Sequence, residues 1–135
     1  MILFLEDWSR YPEAIVDTKT VNQSFIDLAH VYKKMGIKNH YFHLALHDRT
    51  LQGVDPFAPD LDYNTIARIV RECVVNPWYY FRDIVSKDLG SSRQYFQASR
   101  ANIGLYWSYF NNCMFYLLMP RQQGKTYGVM GLVSW

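Results

Sequence analysis

An unbroken apolar run over residues 114–119 leads directly into a polar segment, residues 120–126, that ends in Gly124, Lys125 and Thr126. A run of strand length without polar positions is typical of a parallel strand covered on both faces. The residues after it, 127–135, predict the first turns of a helix, although two glycines lower their helix propensity. This order of strand, tight loop and helix constrains the fold more than any other feature of the sequence.

The part of the chain before this run is predicted to be mainly helical. Apolar residues recur at helical spacing in three segments, which predicts helices over 22–35, from about residue 63 until just before Pro77, and over 94–111. The candidate helix caps are Asn22 or Ser24 for the first helix, with Gly36 beyond its end, and Asp62 or Asn64 for the second.

The connections between these helices are predicted from their turn residues. Residues 41–47 suggest a short strand or an extended approach, residues 52–62 an ordered loop with apolar anchors, and residues 86–93 a polar loop. Pro77 is placed where a new helix begins, and four consecutive aromatic residues follow it.

The segment ending in Gly124, Lys125 and Thr126 has the chemistry of a phosphate-binding loop. A glycine lets the backbone N–H groups approach an anion, and the positive end of the following helix dipole adds to their attraction. Lys125 would bridge the β- and γ-phosphates, and the Thr126 hydroxyl would help to hold Mg²⁺. The full pattern GxxxxGK[ST] wants a glycine where this chain has Met119. An accidental Gly-Lys-Thr in a surface turn is the alternative.

Residues 120–126 resemble the deviant Walker A motif of the large terminase subunits of tailed bacteriophages, the ATP-driven motors that package DNA into procapsids. That family often replaces the first glycine and carries arginine followed by glutamine in this loop. The resemblance extends over roughly residues 20–135 and is also carried by three upstream segments, residues 52–57, 76–82 and 100–103.

The resemblance implies ATP and Mg²⁺ as cofactors and assigns roles to individual residues. Arg121 would act in cis on the transferring γ-phosphate as a catalytic residue, and Asn102 stands where relatives use a glutamine to recognise adenine, with Gln94 and Gln97 as other candidates. Thr126 would be the metal ligand. The residues implied to bind the nucleotide are Arg121, Gln122, Gln123, Gly124, Lys125, Thr126 and Asn102.

The resemblance also implies an α/β fold, in which an α-rich N-terminal region (1–92) leads into the first strand, P-loop and helix of an incomplete P-loop NTPase domain (93–135). The acidic Walker B strand, the glutamate that orients water and the nuclease domain have no counterpart in the sequence. We therefore expect a fragment that has little or no hydrolytic activity alone. The partners of the complete protein would be double-stranded viral DNA, the portal and the small terminase subunit, in the host-cell cytoplasm.

Two alternatives remain open at this point. One is a fragment of a helicase-like P-loop ATPase; the other is a small helical interaction module with a vestigial Gly-Lys-Thr. A fragment would leave residues 114–119 poorly covered, which predicts an exposed apolar patch or self-association.

Several other functions are disfavoured by the sequence. A net charge of +2 without a run of one sign argues against a broad basic face for nucleic acid. The apolar start lacks a basic leader region, and no apolar run approaches the roughly 18 residues of a membrane span. The two cysteines are far apart, so neither a disulfide framework nor a zinc knuckle is expected.

Three further clusters are interpreted as structural. His43 and His47 have the i, i+4 spacing of a zinc pair but lack the glutamate of a metalloprotease motif. The aspartates of the 52–62 loop miss the spacing of a calcium loop and are expected to cap turns. The aromatic segment 78–82 would suit base stacking, yet helical geometry directs at least two of its rings into a core.

Overall fold

The computed structural model describes residues 11–88, 90, 92–111, 114, 116, 118 and 125–135. This part of the chain is a mixture of helices and two small antiparallel sheets, each of two strands. The elements are β1 (Ile15–Val16), α1 (Gln23–Lys34), β2 (Ala45–Leu46), α2 (Tyr63–Val75), α3 (Pro77–Tyr79), β3 (Ser86–Asp88), β4 (Arg93–Tyr95), α4 (Arg100–Asn111) and α5 (Lys125–Ser134).

Helix α1 confirms the first helix predicted from the sequence and ends as its glycine indicates. Gly36 has a φ of +77°, and its N–H donates to the Lys33 carbonyl. The Ile37 N–H reaches back to the Tyr32 carbonyl, which completes a Schellman motif. At the other end Asn22 occupies the N-cap position, but its side chain donates elsewhere and does not cap the helix.

Helices α2 and α3 begin at the residues that the sequence singles out. Asp62 accepts a hydrogen bond from the Thr65 N–H at 3.3 Å, and Asn76 accepts one from the Tyr79 N–H at 3.4 Å. Pro77 is the first residue of α3, where its missing N–H costs nothing. A single π-helical turn, Tyr80–Ile84, continues directly from α3.

The apolar stripe predicted for α2 is only partly buried. Ile69 is buried and Cys73 is half-buried, whereas Ile66, Val70 and Val74 are exposed. The helix therefore lies at the surface and contacts the interior along a narrow strip.

Two predicted elements between residues 86 and 99 are wrong. Residues 86–93 were expected to form a loop and 94–99 to belong to a helix, but β3 pairs with β4 in a hairpin and α4 begins only at Arg100. Gln94 lies opposite Lys87 in this ladder. Ser86 is half-buried and Phe96 fully buried, so the tertiary contacts of the hairpin override the weak local pattern.

The predicted strand over 114–119 is not found at the residues of that run which the structure describes. Met114, Tyr116 and Leu118 lie outside any helix or strand and are 81%, 90% and 93% exposed. A strand needs a hydrogen-bonded neighbour. The two described sheets contain two strands each, β1 with β2 and β3 with β4, and neither pairs with these residues. The described residues of this apolar run are therefore exposed to solvent.

One main core joins the two regions that the sequence divides at residue 92. Phe25 from α1, Trp78 and Phe81 from the middle of the chain, and Tyr106 and Leu132 from α4 and α5 belong to the same buried cluster. A smaller cluster of Leu46, Leu51, Ile69 and Tyr79 lies beside it, and Val54 and Leu61 anchor the 52–62 loop there.

Candidate functional site

Of the residues predicted to bind phosphate, the structure describes Lys125 and Thr126, which lie at the start of α5. Lys125 is the first residue of this helix, and Thr126, in its first turn, is exposed. Arg121, Gln122, Gln123 and Gly124 lie outside the described residues. The first turn of a ten-residue helix carries unsatisfied N–H groups and partial positive charge, which favour an anion there.

Helix α5 packs closely on α4 because glycines lie at the contact. A Cβ at position 128 would approach Leu105 Cδ2 to 3.2 Å and Asn102 Oδ1 to 3.6 Å. A Cβ at position 131 would come within 3.1 Å of the Tyr106 hydroxyl. The two glycines that weaken the helix in isolation therefore allow its tertiary contact.

Asn102 is thereby brought within one helical turn of the start of α5. Its side-chain Nδ2 donates to the Gln97 carbonyl at 3.0 Å, and its backbone N–H donates to Ser99 Oγ at 3.1 Å. The amide is half-buried and its oxygen is directed at α5. An oriented carbonyl oxygen accepts hydrogen bonds, as from the exocyclic amino group of adenine. Gln94 and Gln97, the other candidates, are both exposed.

The aromatic segment 78–82 is a packing element, as expected. Trp78 and Phe81 are completely buried, and the Phe81 ring stacks on Tyr106 with 4.0 Å between centroids. Tyr79 is also buried, while Tyr80 is half-buried. Arg82, which would flank a stacked base, is itself inaccessible. This segment offers no platform for nucleic acid.

Arg82 instead organises a buried ionic network. Its Nε lies 2.7 Å from Asp83 Oδ2 and its Nη2 lies 3.2 Å from Asp17 Oδ2. Asn22 Nδ2 donates to the Arg82 carbonyl at 2.9 Å, and the Thr20 hydroxyl donates to Asp83. Burial raises the pKa of Asp17, and this effect exceeds the opposing attraction of Arg82.

His43 lies beside this network and is inaccessible to solvent. Its Nε2 lies 2.9 Å from the Phe25 carbonyl, which requires the hydrogen on Nε2. Its Nδ1 has no partner among the residues described. Desolvation lowers the pKa of His43 to about 4, so the ring is neutral at pH 7.

The remaining candidates are two aspartates, a cysteine and possible metal ligands. In the described part of the chain no cluster of three or more potential ligands could hold a metal ion. Asp55 accepts a hydrogen bond from the Phe57 N–H and Asp62 caps α2, so both stabilise local backbone. Burial raises the pKa of the Cys73 thiol to about 12, which leaves it unreactive at neutral pH.

Sequence reasoning missed one cavity altogether. It lies between α2 and the turn after β2 and is lined by three arginines, Arg49, Arg68 and Arg71. These come from separate segments and form no local motif. A hint was present only in α2, where Arg68 and Arg71 have the i, i+3 spacing of one helix face.

Comparison with known proteins gives no match for this chain, whether to family models, to curated proteins or to solved structures. Within the residues that the structure covers, no helix combines the length and apolar character needed to cross a bilayer.

Proposed function

We propose that this chain is the N-terminal portion of a phage DNA-packaging terminase large subunit, and that it binds ATP with Mg²⁺ at the start of α5. The supporting observation is the contact between α4 and α5. Asn102, the candidate for adenine, lies one helical turn from Lys125 and Thr126, the candidates for phosphate and metal. The residue proposed to bind adenine therefore lies near the residues proposed to bind the phosphates and Mg²⁺.

The roles proposed for the individual residues follow from their chemistry. Lys125 would neutralise charge on the outer phosphates. Thr126 would supply one oxygen ligand to Mg²⁺, and this ion screens the repulsion between the phosphates. Gln122, Gln123 and Gly124 would contribute donors from the loop. Arg121 would stabilise charge on the γ-phosphate through its planar guanidinium.

Asn102 would select the base. Its Nδ2 is engaged by Gln97, so the free oxygen would accept from the amino group of adenine. Guanine presents a carbonyl oxygen at the same place, and two facing acceptors repel. The proposed site therefore favours ATP over GTP.

The remaining parts of the proposal concern the complete protein. Double-stranded viral DNA, the portal and the small terminase subunit would be its partners, and the host-cell cytoplasm its compartment. A helicase-like ATPase is the alternative parent, and packaging of DNA into procapsids by the complete protein would distinguish a terminase from it.

The decisive experiment is calorimetric titration of Mg-ATP into the chain, into Lys125→Ala and into the control Lys38→Ala. Lys38 is exposed and lies far along the sequence from α5, so its loss removes the same charge without touching the site. We expect Lys125→Ala to weaken binding at least about tenfold, the equivalent of one charge-assisted contact, and Lys38→Ala to leave it unchanged. Equal heats from all three proteins would refute nucleotide binding.

Base selection is tested separately by comparing ATP with GTP. We expect Asn102→Ala to reduce the preference for ATP by roughly fivefold to tenfold, because one neutral hydrogen bond to adenine is lost and the repulsion of guanine is relieved. Removal of Mg²⁺ with a chelator should weaken both nucleotides. An unchanged ATP preference in Asn102→Ala would exclude the role given to this amide.

A second function, protein interaction, is favoured by one observation. Large apolar side chains are exposed before residue 119 and after residue 124: Met114, Tyr116, Leu118, Val129, Met130 and Val133. A partner chain or a second copy would cover such a surface. This function requires no nucleotide and would survive the loss of Lys125.

A further inference from the structure

A cavity of about 560 Å³ lies between α2 and the turn that follows β2. Its volume falls within the range of about 300–1,000 Å³ that small-molecule sites occupy. The described residues that line it all carry polar or charged groups: Glu13, His47, Asp48, Arg49, Thr50, Arg68, Arg71 and Glu72.

The wall formed by residues 47–50 is held in place by a buried carboxylate. Glu72 is 1% exposed, and it accepts hydrogen bonds from the backbone N–H groups of His47 at 2.8 Å and Asp48 at 2.9 Å. Asn76 Nδ2 adds a third donor at 2.7 Å. The oxygens of Glu72 are therefore occupied by the framework and repel an anion in the cavity less than an unpaired carboxylate would.

Arg68 is positioned by contacts within the cavity. Its Nη1 donates to Thr50 Oγ1 at 2.9 Å and lies 3.4 Å from Asp48 Oδ2. Asp48 in turn accepts from the N–H and hydroxyl of Thr50. One guanidinium is thus held with its charge largely balanced, and a hydroxyl is oriented next to it.

The other two guanidinium groups are weakly engaged, since the one further contact of Arg49 is a long hydrogen bond of 3.5 Å from its Nη2 to the Pro12 carbonyl. Arg49 Nε lies 3.9 Å from Glu13 Oε2, and both side chains are more than half exposed, so this ion pair contributes about 0–1 kcal/mol. Arg71 is exposed and forms neither an ion pair nor a hydrogen bond with any residue described. Two guanidinium groups therefore border the cavity, and most of the carboxylates there already accept hydrogen bonds from other groups.

We propose that this cavity binds a small phosphate monoester, with Arg71 and Arg49 contacting the phosphate. A monoester dianion carries more charge than a carboxylate and has a third terminal oxygen, so it suits two planar guanidinium groups at once. The site is separate from the start of α5 and does not depend on nucleotide binding there.

The test uses phenyl phosphate as the probe and phenol as its matched control without the charge, both titrated calorimetrically into the full chain. We expect phenyl phosphate to bind and phenol not to bind. Arg71→Gln should weaken phenyl phosphate binding at least about tenfold, because one charge-assisted pair of hydrogen bonds is lost. Lys87→Gln, which removes an exposed charge from β3, should leave it unchanged.

A second variant should strengthen the binding of phenyl phosphate. Glu13→Gln removes the carboxylate that competes for Arg49, so phenyl phosphate should bind about twofold to fivefold more tightly, in keeping with a weak surface ion pair. Thermal unfolding without ligand should be the same for wild type, Arg71→Gln and Glu13→Gln.

Three results would overturn the proposal. The first is no saturable heat from phenyl phosphate or inorganic phosphate in the wild-type chain. The second is equal weakening by Arg71→Gln and Lys87→Gln, which would indicate a general charge effect. The third is Arg71-dependent binding of a short single-stranded DNA with no binding of the monoester, which would assign the arginines to a nucleic-acid surface.

Discussion

Two segments that carry large apolar side chains differ completely in burial in this molecule. Segment 78–82 is buried almost completely, including its arginine, whereas the described residues of segment 114–119 are more than four-fifths exposed. The difference lies in the partners that each segment meets. Trp78 contacts Phe42 and Tyr106, and Phe81 stacks on Tyr106. Hydrophobic residues favour burial, but burial requires a complementary surface.

The same comparison separates two uses of charge. Arg82 is buried, and its charge is balanced by Asp17 and Asp83. Arg49 and Arg71 instead border an open cavity. A buried guanidinium is tied to its partners because desolvation makes it costly to leave any of them alone. An arginine at a cavity can exchange a weak partner for a ligand.

The largest effect is expected from breaking the buried network. Arg82→Ala leaves Asp17 and Asp83 inside the protein without their counter-charge, which should cost about 3–5 kcal/mol in the free energy of unfolding. The control Arg71→Ala, at an exposed position, should change it by less than about 0.5 kcal/mol. Urea unfolding followed by tryptophan fluorescence measures both.

A second-site change sharpens this prediction. Asp17→Asn removes one of the two orphaned charges, so it should recover part of the stability lost in Arg82→Ala while destabilising the wild-type chain. Additive losses in the double variant would show that Arg82 and Asp17 are not coupled.

The next largest effect is an acid sensitivity confined to the buried region. The pKa of His43 falls from its usual 6.5 to about 4, so the unfolded chain binds the proton more readily than the folded one between these values. Its contribution is complete above about pH 6.5, and about 3 kcal/mol of stability should be lost as the pH falls to 4.

This pH dependence should be measured against His43→Gln, since Asp17 shifts in the opposite sense. The raised pKa of Asp17 favours folding at lower pH and partly offsets the histidine. The variant should lack the loss between pH 6.5 and 4. Parallel stability curves for wild type and variant would contradict the assignment to His43.

The smallest change in stability is expected in the exposed segment. Tyr116→Ser together with Leu118→Ser should alter the free energy of unfolding by less than about 0.5 kcal/mol, because these side chains are not packed. The same variant should reduce self-association in sedimentation velocity runs at increasing concentration. A loss of more than about 1 kcal/mol would mean that the segment belongs to a core after all.

Much of the helical structure was predictable because it depends on neighbours in sequence. The end of α1 follows from Gly36, the start of α2 from Asp62, and the start of α3 from Pro77. Each of these signals acts within one turn of the chain. The candidate ATP site was likewise suggested by consecutive residues, and Asn102 by family resemblance.

The hairpin of β3 and β4 was not predictable in this way. Its strands are three residues long, and the one that carries Gln94 continues the helical pattern of α4. The cavity between α2 and residues 47–50 was not predictable either, because Arg49 and Arg71 are brought together only when α2 packs beside those residues.

The sequence by itself determined where α1 ends and where α2 and α3 begin, since caps, glycines and prolines act over a few bonds. It also placed Gly124 immediately before α5, whose first two residues are Lys125 and Thr126. Only the tertiary structure decided which apolar segment is buried, which arginine is enclosed, and that Asn102 lies against α5. Those outcomes depend on desolvation and on contacts between residues far apart in the chain, which a local pattern does not contain.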